Sequence, residues 1–427
     1  SGMLGFTGLT EHDAVAFSIL SVREGGPAAK AGLRRSDLVV AVDDQLLDPG
    51  SLAAGTAWFD RGHEAALGRA IERALAGRRN RLQLRVLRDG SEKTLSLTLP
   101  LAKGTRPGDL DRRIRQDVTT WVASNQKKNG AWPKNFVNSS IAGLALLATR
   151  DRDHAEAIRK LADRQLDKNP QARDTKGFSF WEIAFQGIFL CEYYLASGDK
   201  RALKWIEDAI QWLPSTTHEC KWGMQAFGHS PKGLPYGEKA LIAPCAHLLV
   251  FEALAERCGV ESGVWEHIRP YVVHSWADPA KGGHGGMGYN AAAKDEREFW
   301  SRSGLVALAL HLRDHEPAMK TALTAFMVGR HPWLLNSHAY GEPGGALGLI
   351  ALRVTSPTDF ARIWELWRWR FLNAWEPGYG LRYSSAHMGA PYMGEEEIMN
   401  PSYALLFGVM DEGLVLAGAA PKRWLPR

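Results

Sequence analysis

The pattern of apolar and polar residues changes character near residue 100 of the chain. Before that point, short segments alternate between apolar and polar positions, as half-buried strands do. The predicted strands are Ala14–Val22, Asp37–Val42, Leu82–Arg88 and Thr94–Leu99. The last two form a hairpin that turns at Asp89-Gly90, and an amphipathic helix is predicted over His63–Leu75. These elements predict a small, β-rich N-terminal domain.

From Asp109 onward the strand signals stop, and two kinds of helical segment alternate. One kind is amphipathic with a charged face: Asp109–Gln126, Asp153–Leu166, Lys200–Leu213, Gly263–Trp276, Ala318–Val328 and Thr358–Trp375. The other kind is rich in small residues and apolar nearly all round: Ser139–Thr149, Trp181–Ala196, Ala240–Ala255, Ser301–Leu312, Gly344–Val354 and Ser402–Leu416. A helix that is apolar on every side must be buried on every side, whereas a charged face must meet solvent.

Outer and inner helices in strict alternation predict a closed two-layer barrel of six helical hairpins, an (α/α)6 toroid. The inner helices recur at irregular intervals of roughly 40 to 65 residues, which fits hairpins with loops of different lengths. An open helical solenoid is the alternative, but that fold requires charged capping repeats and more uniform hairpins than this sequence has. The predicted fold class is therefore a small β-barrel or sandwich with two helices, followed by an all-α toroid.

The N-terminal domain carries the signature of a known family. Gly25–Gln45 reads GGPAAKAGLRRSDLVVAVDDQ and closely resembles the core of PDZ domains. Met3–Phe6 (MLGF) resembles the carboxylate-binding loop of that family, and Gly62–Ile71 resembles the helix that flanks its peptide groove. The segment Leu46–His63 is longer than the family norm.

The PDZ resemblance implies how a partner would bind. Successive backbone N–H groups at Leu4, Gly5 and Phe6 would hold the C-terminal carboxylate of a peptide or protein. The ligand would then add as a strand to the exposed edge of the sheet. His63 corresponds to the first position of the groove helix, where a histidine selects Ser or Thr near the end of the ligand. A peptide or protein tail is therefore the predicted partner of this domain.

The helical part resembles known toroids more weakly. Gln126–Trp132 (QKKNGAW), followed by Asn138–Ala148, looks like the glutamine–tryptophan motif of terpenoid cyclases and prenyltransferase-like toroids. A PDZ domain followed by such a toroid is similar to an uncharacterised family of bacterial proteins, and Phe189–Leu203 carries much of that similarity. This second resemblance implies the architecture and no activity. The predicted domains are a PDZ-like domain at 1–100, a linker at 101–108 and the toroid at 109–420.

The connections from outer to inner helices should converge at one mouth of the barrel, and they collect Gly, His, Trp, Tyr and Glu. Glycine permits close backbone approach, while His and Glu supply acid–base groups. The candidate catalytic residues are His284, His338, Tyr340, Glu238, Arg302 and Tyr289. The candidate ligand-binding tryptophans, suited to lining a sugar- or ring-binding cavity, are Trp132, Trp181, Trp222 and Trp300.

Several reactions remain open from these residues. Asn336, His338 and Tyr340 resemble in residue type the set used by toroid polysaccharide lyases, in which Asn or Arg neutralises a uronate and His or Tyr removes a proton. A glycosidase needs two facing carboxylates, with candidates Glu182, Glu238, Glu298 and Glu396. The histidines of the predicted rim loops show no helical HxxxH or short chelate spacing, so neither a metal nor another cofactor is predicted. These rim histidines are His218, His229, His284, His338 and His387. Aspartate-rich cyclase motifs are absent, since the only Asp-Asp pair is Asp43-Asp44.

We therefore predict a PDZ domain that binds a peptide tail and a toroid with an aromatic, His- and Glu-rich ligand cavity. The alternative is a lyase or hydrolase acting on a glycan or peptide polymer, so enzymatic activity stays open. Sixteen tryptophans include Trp364, Trp367 and Trp375, which with Phe371 form a helical stripe typical of core packing. The net charge of +5 over 427 residues is too small to indicate a nucleic-acid surface.

The remaining composition says little about the compartment. Four cysteines without a CxxC pair are expected to be core thiols, and a disulfide is the alternative. No apolar run reaches the ~18 residues needed to span a bilayer. The start, Ser1-Gly2-Met3, has neither the basic residues nor the apolar run of a signal peptide. Localisation therefore stays undetermined. A periplasmic or extracellular site is expected if a signal peptide has been removed.

Overall fold

The computed structural model consists of a small N-terminal β region followed by a mostly helical α/α toroid domain. It describes residues 1–10, 16–47, 62–77, 79–101, 105, 107–134, 136–167, 169–172, 177–232, 240–293, 300–334, 341–382, 396–410 and 413–426. The chain divides into two compact units. Unit 1 comprises Ser1–Trp121 and Arg362–Asn400, and unit 2 comprises Val122–Ala361 and Pro401–Arg427. The predicted limits of the PDZ-like domain, linker and toroid stay predictions.

In its described residues, the β region contains one antiparallel sheet and two helices. Its strands are β1 (Phe6–Thr10), β2 (Phe17–Val22), β3 (Leu38–Val42), β4 (Gln45–Leu46), β5 (Arg81–Arg88) and β6 (Ser91–Thr98). The helices are α1 (Pro27–Lys30) and α2 (Gly62–Ala76). The strand order is β1-β2-β3-β5-β6, with β4 paired to β3. The predicted β5–β6 hairpin is confirmed, and its turn residues Asp89 and Gly90 both have left-handed φ angles, as a tight hairpin turn requires.

The predicted alternation of helices is also confirmed. The outer helices are α3 (Pro107–Ser124), α5 (Ala155–Leu166), α7 (Lys200–Trp212), α9 (Val264–His274), α11 (Pro317–Gly329) and α13 (Pro357–Ala374). The inner helices are α4 (Phe136–Thr149), α6 (Ser179–Ser197), α8 (Ile242–Arg257), α10 (Trp300–Arg313), α12 (Gly341–Thr355) and α14 (Glu396–Val409). Two short hairpins join them: β7 (His218–Glu219) with β8 (Gln225–Ala226), and β9 (Trp375–Glu376) with β10 (Gly380–Leu381).

Small residues let the inner helices approach one another closely. Within unit 2, α4, α6, α8, α10 and α12 contact each other in succession. A Cβ added to Gly187 of α6 would lie 2.4 Å from the ring of Phe251 on α8, and one added to Gly348 of α12 would lie 2.2 Å from the ring of Trp300 on α10. The small residues of the inner segments are therefore the sites where neighbouring aromatic rings pack.

The last inner helix has different limits from those predicted. The sequence predicts a start at Ser402, but α14 begins at Glu396 and contains Pro401. The side-chain amide of Asn400 donates to the carbonyl oxygens of Glu396, at 3.1 Å, and of Leu381, at 2.9 Å. These side-chain bonds hold the turn that precedes the proline. The helix ends at Val409, earlier than the predicted Leu416.

The tryptophan stripe of α13 is buried as predicted. In unit 1, the indole N–H of Trp364 donates to Asp111 of α3 at 3.1 Å, and that of Trp375 donates to Asp117 at 2.8 Å. Trp369 lies off this stripe and is buried as well, because it packs on α2: a Cβ on Gly68 would lie 2.5 Å from the carbonyl oxygen of Trp369. Helix α13 thus contacts α3 with one face and α2 with another.

The described residues show the state of the cysteines and whether any helix could span a membrane. All four cysteines are free thiols; Cys191, Cys245 and Cys258 are buried, as expected of core thiols, whereas Cys220 is partly exposed because it lies in the β7–β8 hairpin. In the ranges given above, no helix combines the length and the apolar character that crossing a bilayer requires.

Candidate functional site

The N-terminal halves of three inner helices, with two adjoining loops, bring five aromatic and basic side chains together in unit 2. We call them the mouth cluster: Trp181, His229, His247, Tyr289 and Arg302. Trp181 and Arg302 are each the third residue of an inner helix, α6 and α10, and His247 lies one turn further along α8. Because alternating hairpins make all inner helices run in the same direction, these first turns lie at the same end of the barrel.

Trp181 and His229 form a hydrogen-bonded pair. The indole N–H of Trp181 donates to Nδ1 of His229 at 2.9 Å, and the amide of Phe180 donates to the His229 carbonyl oxygen at 3.1 Å. Burial, and to a smaller extent the charge of Arg302, lower the pKa of His229 from 6.5 to about 4. The ring is therefore neutral near pH 7. Since Nδ1 accepts a bond, its proton resides on Nε2.

His247 has the opposite tautomer. Its Nδ1 donates to the carbonyl oxygen of Ala243, one turn earlier in α8, at 2.7 Å. Its ring lies 4.9 Å from that of Trp181 and 5.0 Å from that of Phe185. Burial is the main cause that lowers the pKa of His247 to about 4, with a smaller contribution from the charge of Arg302. The neutral ring therefore carries its lone pair on Nε2.

Arg302 supplies the positive charge of the cluster. It is almost fully buried, and its guanidinium lies 4.8 Å from the ring centroid of Tyr289, a cation–π distance. Its charge contributes to the lowered pKa of both His229 and His247. The cluster thus offers a cation, a neutral donor, a neutral acceptor and indole and phenol rings. This set can bind a polar ring-shaped ligand and fix its orientation.

A second buried pair lies on the next two inner helices. The hydroxyl of Tyr403 on α14 donates to the carboxylate of Glu342, the second residue of α12. Both side chains are fully buried. Glu342 is a carboxylate held at the same helix end as Trp181 and Arg302, so it belongs to the same mouth.

The structure brings together only some of the predicted site residues. Trp181, Tyr289 and Arg302 meet in the mouth cluster. His284 instead lies against the outer helix α11, where its ring is 5.2 Å from that of Phe326 and its Nδ1 accepts from the amide of Gly286 at 3.1 Å. Glu238, His338 and Tyr340 lie outside the described residues.

The other predicted tryptophans differ in their surroundings. Trp132 is buried and donates to the carbonyl oxygen of Val122 at 2.7 Å, and Trp300 is buried and donates to that of Met327 at 2.8 Å. Because their N–H groups are used within the core, we do not carry these two into a ligand site. Trp222 is 38% exposed at the tip of the β7–β8 hairpin.

The predicted carboxylate loop of the PDZ domain already has partners within unit 1. The amides of Gly5 and Phe6 donate to the carbonyl oxygen of Ser1 at 2.9 and 3.2 Å, and the amide of Leu4 lies 3.4 Å from the Ser1 hydroxyl. Leu4 and Phe6 are themselves buried. The N–H groups that the family resemblance assigns to a peptide carboxylate are thus bonded to the chain itself.

Helix α2, which would flank the peptide groove, is contacted by α13 at its N-terminal end. The amide of Gly2 donates to the carbonyl oxygen of Asn373 on α13 at 2.6 Å, and the Asn373 side chain donates to the carbonyl oxygen of Glu64 on α2 at 2.7 Å. His63, the predicted selecting residue, is fully buried. In this state the histidine is out of reach of a peptide in solution.

No metal centre is evident in the part of the chain that the structure describes, where no three His, Cys, Asp or Glu side chains gather as a metal-ion site. Of the rim histidines, His218 uses its Nε2 in a 2.8 Å bond with the carbonyl oxygen of Ser230.

Sequence reasoning missed His247, Glu342 and Tyr403. His247 carries a usable signal, because it is the only basic side chain in the mostly apolar inner segment Ala240–Ala255. Glu342 lies in a glycine-rich rim stretch that sequence reasoning did identify as a candidate, but nothing in the sequence pairs it with Tyr403.

These features define a protein with an N-terminal PDZ domain and an α/α toroid. A PDZ family profile matches residues 18–54, and the profile described as "Domain of unknown function (DUF6288)" matches residues 111–343. The chain belongs to this DUF6288 family. No match was found among curated proteins.

Solved structures show where similar folds occur. The GH76A alpha-1,6-mannanase from Salegentibacter sp. HEL1_6 is 10% identical with a TM-score of 0.51, covering 70% of this chain and 98% of that chain. A sugar epimerase from a ruminal bacterium is 13% identical with a TM-score of 0.46, covering 71% of this chain and 99% of that chain. A possible GH105 family member from Salmonella enterica serovar Paratyphi A is 14% identical with a TM-score of 0.44, covering 74% of this chain and 97% of that chain. The mannanase match shows a shared toroid fold; none of the three confirms the terpenoid-cyclase resemblance.

Proposed function

We propose that the toroid binds a carbohydrate at the mouth cluster. The observation that carries this proposal is the convergence of Trp181, Arg302 and two neutral histidines of opposite tautomer. An indole face suits the apolar face of a sugar ring, while Arg302, His229 and His247 offer hydrogen bonds to its hydroxyl or carboxylate groups. The toroid fold shared with an α-1,6-mannanase supports the choice of carbohydrate over other ring-shaped ligands.

Trp181→Ala and Arg302→Met are each expected to weaken glycan binding at least tenfold, or about 1.4 kcal/mol. A glycan array with the full chain identifies the ligand, and titration calorimetry measures its Kd. Arg112→Met is the control, because that side chain is 77% exposed on α3. Circular dichroism verifies that each variant is folded. A glycan that both cluster variants bind as tightly as the wild type contradicts the proposal.

Acid–base processing of the same glycan is the second candidate, and the opposite tautomers of the histidines favour it. His247 carries a lone pair at Nε2 that can accept a proton as a general base, and the Nε2–H of neutral His229 can donate a hydrogen bond to negative charge that develops on the ligand. Glu238, His338 and Tyr340 stay candidates for the same reaction. A lyase would release an unsaturated end and a hydrolase a new reducing end. If a glycan binds and neither product forms, the processing function is wrong and only the binding function stands.

For the PDZ domain, a peptide C-terminus remains the proposed ligand, and its carboxylate would have to take the Gly5 and Phe6 amides from Ser1. Gly2→Ala is expected to raise peptide affinity several-fold, because its Cβ would lie 2.3 Å from the carbonyl oxygen of Ala374 and would push the Ser1–Gly2 segment away from the loop. Gly108→Ala, which adds a Cβ in open space, is the control. Fluorescence anisotropy with a library of C-terminal peptides measures binding. If Gly2→Ala binds none of them, peptide capture at this loop is wrong.

A further inference from the structure

A second concavity opens in unit 2 at the C-terminal end of α9. Its volume is about 440 Å³, within the usual range of about 300–1,000 Å³ for ligand sites. Met224, Val273 and Trp276 contribute apolar surface, and Arg269, His274 and Lys281 contribute polar groups. We call this concavity the α9 cleft. Its mixture of an aromatic ring with hydrogen-bonding groups matches that of the mouth cluster.

An exposed tryptophan extends the wall of the α9 cleft. The ring of Trp222 lies 5.2 Å from that of His274, which lines the cleft. The Nζ of Lys221 lies 4.2 Å from the centroid of the same indole. The Trp222 indole is 38% exposed, so part of its ring is accessible to solvent beside the cleft.

One ribbon of backbone connects the α9 cleft to the mouth cluster. Trp276 forms an antiparallel bridge with Met287, and the amide of Gly288 donates to the carbonyl oxygen of Ser275 at 3.1 Å. Tyr289 of the mouth cluster follows directly. Bridged Cα atoms lie about 5 Å apart and two further residues add at most about 7 Å, so the Cα atoms of Trp276 and Tyr289 lie within about 13 Å.

We infer that the α9 cleft is a second saccharide-binding subsite, which holds distal sugar units of a glycan whose other end occupies the mouth cluster. This inference rests on the proposed function. It deepens that function by making the ligand a chain of several sugars rather than one sugar. Trp222 would stack on a ring, and Lys281 and His274 would bond hydroxyl groups, in the roles proposed for Trp181 and the histidines at the mouth.

The test compares chain lengths. The glycan selected on the array is prepared in lengths from two to six units, and calorimetry measures the Kd of each for the full-length protein. Trp222→Ala and Lys281→Ala are expected to weaken binding of the six-unit chain about tenfold and about threefold, while the Kd of the two-unit chain stays unchanged. Both side chains are exposed, at 38% for Trp222 and 82% for Lys281, so the fold should tolerate the changes. Lys160→Ala, an exposed lysine on α5, is the matched control.

The outcomes separate the subsite from the function it extends. A six-unit chain that binds wild type and Trp222→Ala equally, while Trp181→Ala weakens every length, overturns the subsite and leaves the proposed function intact. Equal weakening of all lengths by Trp222→Ala also overturns the subsite, because it places Trp222 in the first binding position. If the wild type binds no saccharide of any length, the proposed function and the subsite both fail.

Discussion

Replacing Arg313 by leucine should lower the free energy of unfolding by about 3–5 kcal/mol. Arg313 ends α10 and pairs with Glu252 of α8 at 2.7 Å, and the exposed fractions of these side chains are 7% and 0%. Glu252 also accepts bonds from the Ser262 hydroxyl at 2.7 Å and the Trp265 amide at 2.8 Å. Burial raises the pKa of Glu252, and the charge of Arg313 opposes that rise. Without the arginine, a buried carboxylate is left without its counter-ion.

Urea unfolding at neutral pH measures this loss, and Arg112→Leu serves as control because an exposed ion pair contributes only about 0–1 kcal/mol. Adding Glu252→Gln to Arg313→Leu should recover a large part of the loss, since glutamine removes the charge and keeps an acceptor for Ser262 and Trp265. A single Arg313→Leu variant as stable as Arg112→Leu would show that the pair is solvated in solution.

Glu192→Gln is expected to make the protein lose stability on acidification. Burial raises the pKa of Glu192 from 4.5 to about 7, despite bonds from the amides of Leu416 at 2.6 Å and Val415 at 3.2 Å. A carboxyl that binds its proton more tightly when folded contributes stability that is full below about pH 4.5 and lost as the pH rises to about 7. Over that pH range, the contribution of Glu192 to the free energy of unfolding changes by about 3 kcal/mol.

The buried His247 has the opposite dependence. Its pKa falls from 6.5 to about 4 on folding, so its contribution is full above about pH 6.5 and is lost as the pH falls to about 4. His229 acts in the same direction. In the wild type, the pH dependence of the two histidines opposes that of Glu192, so the free energy of unfolding changes less with pH. Glu192→Gln leaves the histidines alone, so stability should fall by about 3 kcal/mol or more between about pH 6.5 and pH 4.

His247→Gln is the reciprocal variant, and it should gain stability on acidification relative to the wild type. Urea unfolding of the wild type, Glu192→Gln and His247→Gln across this pH range gives the free energy of unfolding of each at every pH. NMR titration of the histidine rings gives the pKa values of His229 and His247 directly. Parallel profiles for wild type and Glu192→Gln would mean that Glu192 titrates at an ordinary pKa in the folded protein.

Most of the helical fold was predictable because burial imposes a readable pattern on it. Segments such as Ala240–Ala255 are apolar on every side, and the structure surrounds α8 with α6, α9 and α10. The limits of α14 were predicted less well, because the helix begins at Glu396 rather than Ser402, in a turn where the Asn400 side chain bonds the backbone. A local side-chain bond of that kind leaves no periodic trace.

The candidate site was only partly predictable, for a related reason. Arg302 and Trp181 lie in the first turns of inner helices, and helix order alone places those turns at one mouth. Trp132 and Trp300 occupy similar positions in the sequence, yet their rings turn into the core because a backbone carbonyl accepts each indole N–H. Which way a side chain points depends on such partners, which the sequence does not name.

The discontinuity of unit 1 has a consequence for the order of biosynthesis. The sheet and α2 leave the ribosome early, but Trp369 and Asn373 of α13, which pack on α2, are separated from them by the whole of Val122–Ala361. At about 5–20 residues per second, that interval lasts on the order of tens of seconds. The N-terminal β region is thus translated before Val122–Ala361 but receives its α13 contacts only afterwards, and until then the face of α2 around Gly68 is without its native cover.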